Sequence, residues 1–202
     1  IENDHGRFFL ASSVLRGSSL HGHRNIREAF DFDTTAAGML ANNPAISGFT
    51  SEDGLFLDTE TTGLSGGTGT MACLIGLGWF EDGAFHVHQI LARDFGEEKA
   101  ALAYLQEIAA RKKFLVTFNG KAFDVNLLTT RFILNRLPAE LAALPHLDLL
   151  HPAPEQKALP LATALPQYSQ IDDQIGGEVV LKDQFDGVVF LPKSDLTIGK
   201  KK

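Results

Sequence analysis

Hydrophobic and polar positions are unevenly ordered along the chain. The first fifty residues show weak periodicity: Arg7–Val14 suggests a short strand, and His21–Phe30 has no clear apolar face. Asn42-Asn43-Pro44 and Ser51-Glu52-Asp53-Gly54 read as turns. From Gly54 the pattern sharpens. Leu55-Phe56-Leu57 is a short apolar strand that runs into Asp58-Thr59-Glu60, and the glycine-rich Leu64–Thr70 stretch predicts a loop. Ala72–Phe80 and Ala84–Ala92 predict two strands joined at Glu81-Asp82-Gly83, a hairpin-type turn. Ala101, Leu102, Leu105, Ile108 and Ala109 recur at helical spacing between Glu97 and Lys113, with acids first and bases last, as the helix dipole favours.

Phe114–Phe118 predicts a buried strand that meets an Asn119-Gly120 turn. Phe123–Leu137 is helical, with Phe123, Leu127, Leu128, Phe132, Ile133 and Leu137 as core positions, until Pro138 stops it. His146–Leu150 is the last strand of this run. Three strands, then helix, strand, helix and strand, predict an α/β fold. Its mixed five-stranded sheet has three antiparallel strands and then βαβ crossovers, with helices packed on it. Four prolines between Pro152 and Pro166 mark a change, after which only Glu178–Leu181 and Val188–Leu191 suggest strands. The expected organisation is therefore an N-terminal extension over 1–51, a core over 52–151 and a proline-rich irregular segment over 152–202.

Composition narrows the picture. With 44% hydrophobic and 21% charged residues, the 202-residue chain has the make-up of a soluble globular domain. The single cysteine, Cys73, rules out an internal disulfide, and no Cys/His set has zinc spacing. The longest apolar run, Met71–Phe80, is too short for a transmembrane helix, so no membrane partner and a cytoplasmic location are expected. The net charge is −7, and residues 52–151 hold eight Lys and Arg against thirteen Asp and Glu. That balance argues against tight non-specific DNA binding, but not against an enzyme that meets phosphates through bound cations.

Asp58-Thr59-Glu60 is the sharpest chemical feature. Residues two apart in a strand point to one face, and two close carboxylates repel unless a cation lies between them. Such hard oxygen ligands suit Mg²⁺ or Mn²⁺. On their own, the same acids could equally end a strand in water. Asp124, in the first turn of the second helix, could be a third ligand or only a helix cap. If one sheet edge gathers Asp58, Glu60 and Asp124, two ions and a phosphodiester-hydrolysing site become possible. His86 and His88 share a strand face without a third ligand nearby, and they read as ordinary histidines.

Phe56-Leu57-Asp58-Thr59-Glu60-Thr61-Thr62-Gly63-Leu64 resembles the first motif of DEDD-type 3′–5′ exonucleases, and Asn119-Gly120-Lys121-Ala122-Phe123-Asp124 resembles their second. The hairpin and helix between the motifs fit the ribonuclease H-like superfamily. Arg131–Leu137, His146–Leu150, Asp4-His5-Gly6 and His21-Gly22-His23 are similar to the YprB-like group of predicted exonucleases. The resemblance covers about residues 2–151. It implies a Mg²⁺- or Mn²⁺-dependent 3′–5′ exonuclease acting on single-stranded DNA or RNA by a two-metal mechanism. Asp58, Glu60 and Asp124 would be catalytic metal ligands, and Thr61, Asn119 and Phe123 would contact the nucleotide. The sequence departs from the family at the closing acidic motif. Asp172, Asp173, Asp183, Asp186 and Asp195 are available but lack its context, and Asp148 is a further candidate whose position suggests a structural strand end. The alternative is a catalytically incomplete module that binds nucleic acid or a protein partner; an endonuclease of the same fold is a third possibility.

Overall fold

The computed structural model describes residues 1–30, 32–63 and 69–150. The candidate fourth acids between Asp172 and Asp195, the two late strands and most of the glycine-rich loop lie outside the described residues.

The strands are β1 (Glu2–Asn3), β2 (Gly6–Arg7), β3 (Phe9–Arg16), β4 (Leu20–His21), β5 (Arg24–Asn25), β6 (Gly54–Thr61), β7 (Ala72–Glu81), β8 (Ala84–Leu91), β9 (Phe114–Thr117) and β10 (His146–Asp148). The α-helices are α1 (Thr34–Leu40), α2 (Phe95–Ala109) and α3 (Asp124–Leu134). The main sheet runs in the order β10-β9-β6-β7-β8-β3. β6, β7, β8 and β3 pair antiparallel, while β9 lies parallel to β6 and to β10. This is the mixed α/β arrangement expected from the element order, with one addition: β3 makes the sheet six-stranded rather than five-stranded. The strand suggested over Arg7–Val14 forms as β3 (Phe9–Arg16), but its weak periodicity did not place it in the sheet. An edge strand exposed on both faces needs no apolar alternation, and six of the eight residues of β3 are exposed.

α1, unlike β3, forms where no element was expected. Its start is held by Asp33, whose carboxylate accepts the N–H groups of Thr35 at 2.9 Å and Ala36 at 3.1 Å. The turn between β7 and β8 has positive φ at both Asp82 (51°) and Gly83 (73°). That is the backbone twist a two-residue hairpin requires, and the Asp-Gly pair supplies it.

Two apolar layers sandwich the sheet. Leu55 and Leu57 of β6 pack with Leu102 and Leu105 of α2 and with Leu128 and Phe132 of α3. On the opposite face Phe114, Val116 and Leu147 pack with Ala37 and Ile46 from the N-terminal segment. Every apolar position expected on α2 is buried. On α3 the reading needs correction: Leu128 and Phe132 are buried, but Phe123 is 55% and Ile133 64% exposed. At 100° per residue, Ile133 lies about 140° around the helix from Leu128. Arg131 takes the inward position instead, meeting Glu98 of α2 at 2.6 Å.

Candidate active site

The site lies where β6, β9 and β10 end. Alternation along β6 sends Leu55, Leu57 and Thr59 inward under the helices. Asp58 and Glu60 therefore point to the other face, where Asp58 is exposed and Glu60 half-buried. The residue opposite Asp58 on β7 is Gly76, so that cross-strand position carries no side chain. A register shift between Glu60 and Thr61 bends the strand just beyond the pair.

Asp124 reaches the same segment from behind. Thr59 is 1% exposed and Asp124 2% exposed, and the Thr59 hydroxyl donates a short hydrogen bond to Asp124 Oδ1. Asp58 and Glu60 thus share one face of β6, while Asp124 stands on the helix-covered face against the residue between them. Among the described residues no group of three or more His, Cys, Asp or Glu side chains is gathered closely enough to hold a metal ion.

The loop from β9 to α3 is shaped by residues whose roles spacing alone did not reveal. Asn119 adopts a left-handed backbone, φ 63°. Its N–H donates to Asp148 Oδ1 at 2.7 Å, and the N–H of Lys121 donates to Asp148 Oδ2 at 2.9 Å. The N–H of Leu150 adds a third donor at 3.1 Å. Burial pushes the Asp148 carboxyl up, but these backbone donors outweigh it and hold it below the usual carboxylate range. Asp148 is therefore the clamp of the turn, consistent with its reading as a structural strand end. Gly120 lies so close to β9 that an added Cβ would come 2.5 Å from Thr117 Cβ. Gly120→Ala should cost about 1–3 kcal/mol through this overpacking, read as a lower midpoint in urea unfolding.

Of the proposed nucleotide contacts, Thr61 donates its hydroxyl to the Gly63 carbonyl at 3.0 Å. Asn119 is half-buried in the clamped turn, and Phe123 stands exposed before α3. Phe118, expected at the end of a buried strand, is 62% exposed because β9 ends at Thr117. His86 and His88 are engaged by aromatic rings, as ordinary histidines would be. His86 stacks on Trp79 at 5.4 Å, and His88 Nδ1 lies 2.8 Å from the Tyr104 hydroxyl.

His146 is 9% exposed, with Nε2 2.8 Å from Thr117 Oγ1. Burial and the Lys121 ammonium lower its pKa, against Asp148 and Asp124, which raise it. The unfolded chain therefore takes up this proton first. Stability from His146 is full above about pH 6.5 and falls as pH drops toward the folded value, by no more than about 1.4 kcal/mol per pH unit. Denaturant titrations at pH 7 and pH 5.5 should show this loss, and His146→Gln should flatten it. Asp148 adds a loss in the same direction at lower pH, below the ordinary carboxylate range, since its folded pKa is the depressed one.

The alternating sheet, the acidic strand end and the helix start beside it define a nuclease-type α/β fold. The chain belongs to the RNase H superfamily, whose profile matches residues 55–187. Members of this superfamily are usually nucleases, and such nucleases typically use divalent metals. The chain is also similar to the uncharacterized protein YprB of Bacillus subtilis (strain 168), with 38% identity over 117 residues. That match covers 56% of this chain and 28% of the relative, so the chain spans little more than a quarter of that protein's length. No helix among the described residues is long and apolar enough to cross a membrane.

Proposed function

We propose that this protein is a divalent-metal-dependent 3′–5′ exonuclease that hydrolyses phosphodiester bonds at the ends of single-stranded DNA or RNA. The observation that carries the proposal is the projection of Asp58 and Glu60 from one open face of β6, with Asp124 docked on the intervening Thr59. The donor set is entirely carboxylate oxygen, which fits Mg²⁺ or Mn²⁺. Asp58 and Glu60 on their shared face, joined by Asp124 once its carboxylate turns from Thr59, would hold two such ions, which when bound supply an activated water and charge neutralisation at the leaving oxygen. Thr61, Asn119 and Phe123 would orient the terminal nucleotide. The Asp148 clamp fixes the turn that bears Asn119, so this contact is presented at little entropic cost.

The test is incubation of the purified protein with end-labelled oligonucleotides and Mg²⁺ or Mn²⁺. Products shortened stepwise from the 3′ end are expected. Cleavage of a circular single strand would instead indicate an endonuclease.

A second reading, a module that binds nucleic acid or a protein partner without cutting, is favoured by one observation: the Asp124 carboxylate faces Thr59 on the helix-covered side. Binding of an oligonucleotide that is never shortened, even with Mn²⁺, would establish it.

A further inference from the structure

Asp58 sits two residues beyond Phe56, the last residue of β6 paired with β9, and Phe118 sits two beyond its partner Val116. In a parallel pair, residues level in register share a face, and two further steps restore that face. Phe56 and Val116 both belong to the apolar layer on the α1 side, so Asp58 continues that face past the point where the layer ends, and Phe118, the first residue beyond β9, leaves the neighbouring strand level with it in register. Asp58 thus has two flanks. On the β7 side stands Gly76, where an added Cβ would meet nothing closer than the Asp58 carbonyl oxygen at 3.7 Å. On the β9 side stands a phenylalanine 62% exposed.

The glycine is not demanded by packing or by a positive φ, in contrast to Gly78 two residues away, whose Cβ would lie 2.5 Å from the Phe85 ring. Nor does Phe118 contribute to either apolar core. Its position is held through the following turn, which the Asp148 carboxylate clamps at Asn119 and Lys121. An exposed aromatic ring held by a fixed backbone on one side of an acidic strand end, with room among the described residues for a side chain at Gly76 on the other, suits a flat apolar group joined to a phosphate that meets the carboxylates through divalent cations.

We propose that Phe118 is the stacking platform for an unpaired nucleobase whose phosphate lies at Asp58 and Glu60, and that Gly76 leaves the room the sugar-phosphate occupies. The inference rests on the nuclease reading and deepens it. An unpaired end base can turn onto the ring without breaking a base pair, whereas a blunt duplex would first have to open one, so the platform favours unpaired ends. It also tolerates every base, because each has a π-face.

The probe is a short single-stranded oligonucleotide with 2-aminopurine at its 3′ end, titrated with the full chain and Ca²⁺. Binding is read by anisotropy, and stacking by the change in 2-aminopurine fluorescence. Wild type should bind the single strand more tightly than a blunt duplex and alter the fluorescence. Phe118→Leu should weaken binding by roughly 5- to 150-fold, the worth of one base–aromatic stack, and abolish the fluorescence change, while Phe118→Trp should restore both. Gly76→Val should weaken binding with no loss of thermal stability. Phe118→Leu binding as wild type, or weaker binding with the fluorescence change intact, would overturn the platform and leave the nuclease assignment standing; unimpaired binding by Gly76→Val would overturn the role of Gly76. Wild type that binds no oligonucleotide at all would overturn the platform and the nuclease assignment together.

Discussion

Asp58→Ala should reduce metal-dependent shortening of an oligonucleotide by at least about 100-fold while leaving the fold intact. The size follows from the proposed role: changes to groups that only support a metal ligand already cost about 10–100-fold, and a ligand should cost no less. The intact fold follows from exposure. Asp58 is exposed beyond the end of the apolar layer on its face and belongs to neither core, and substitutions at such positions usually change stability by no more than about 0.5 kcal/mol. Asp58→Asn, which keeps the shape and removes the charge, should be nearly as inactive. Asp124→Ala should also lose activity, but with a stability cost of its own, because Asp124 is buried and bonded to Thr59. Rates and unfolding midpoints measured together separate the two cases. Full activity in both Asp58→Ala and Asp124→Ala would sink the assignment.

The largest stability effect should come from a pair remote from the chemistry. Glu98 and Arg131 are 2% and 4% exposed, and both Glu98 oxygens accept from the Arg131 guanidinium at 2.6 Å. Asn135 Nδ2 adds a third donor to Glu98 at 2.8 Å, and the Arg131 guanidinium lies 5.2 Å from the Phe95 ring centre. The pair ties α2 to α3, and α3 carries Asp124 at its first turn. Either Glu98→Ala or Arg131→Ala leaves a buried charge without its counter-ion and should cost about 3–5 kcal/mol. A domain of ordinary stability holds about 5–15 kcal/mol, so either variant should unfold at a much lower urea concentration. Replacing both residues with leucine should be far milder, since no lone charge remains. By contrast, Arg93 and Glu97 pair at the surface, where the bond to Glu97 lowers that carboxyl to about 2 but Arg93 is 67% exposed. Arg93→Ala should change stability by no more than about 0.5 kcal/mol. A double leucine variant as unstable as the single alanines would contradict this account.

Burial explains which parts of the molecule could be read early. The strands from β6 onward and both long helices declare themselves by period. Each buries one face, and a residue on the wrong face would place charge in a core. The D-T-E pair was legible for the same reason: alternation alone puts Asp58 and Glu60 together. The first fifty residues gave little, because β3 is exposed on both sides and α1 is only seven residues long. Arg131 was not legible as an inward residue. A buried arginine needs a partner 33 positions away in sequence, and no local pattern encodes that distance.

The sequence by itself therefore determined the order of elements, the mixed sheet, the apolar set of α2 and the common face of Asp58 and Glu60. These depend on local period, which each residue's own polarity enforces. Only the tertiary structure decided the rest. It set β3 at the sheet edge, turned Asp124 onto Thr59, made Asp148 a clamp for the Asn119 turn, and left Phe118 in the open just past the end of β9. All four depend on contacts between segments far apart in the chain, where geometry rather than composition selects the partner.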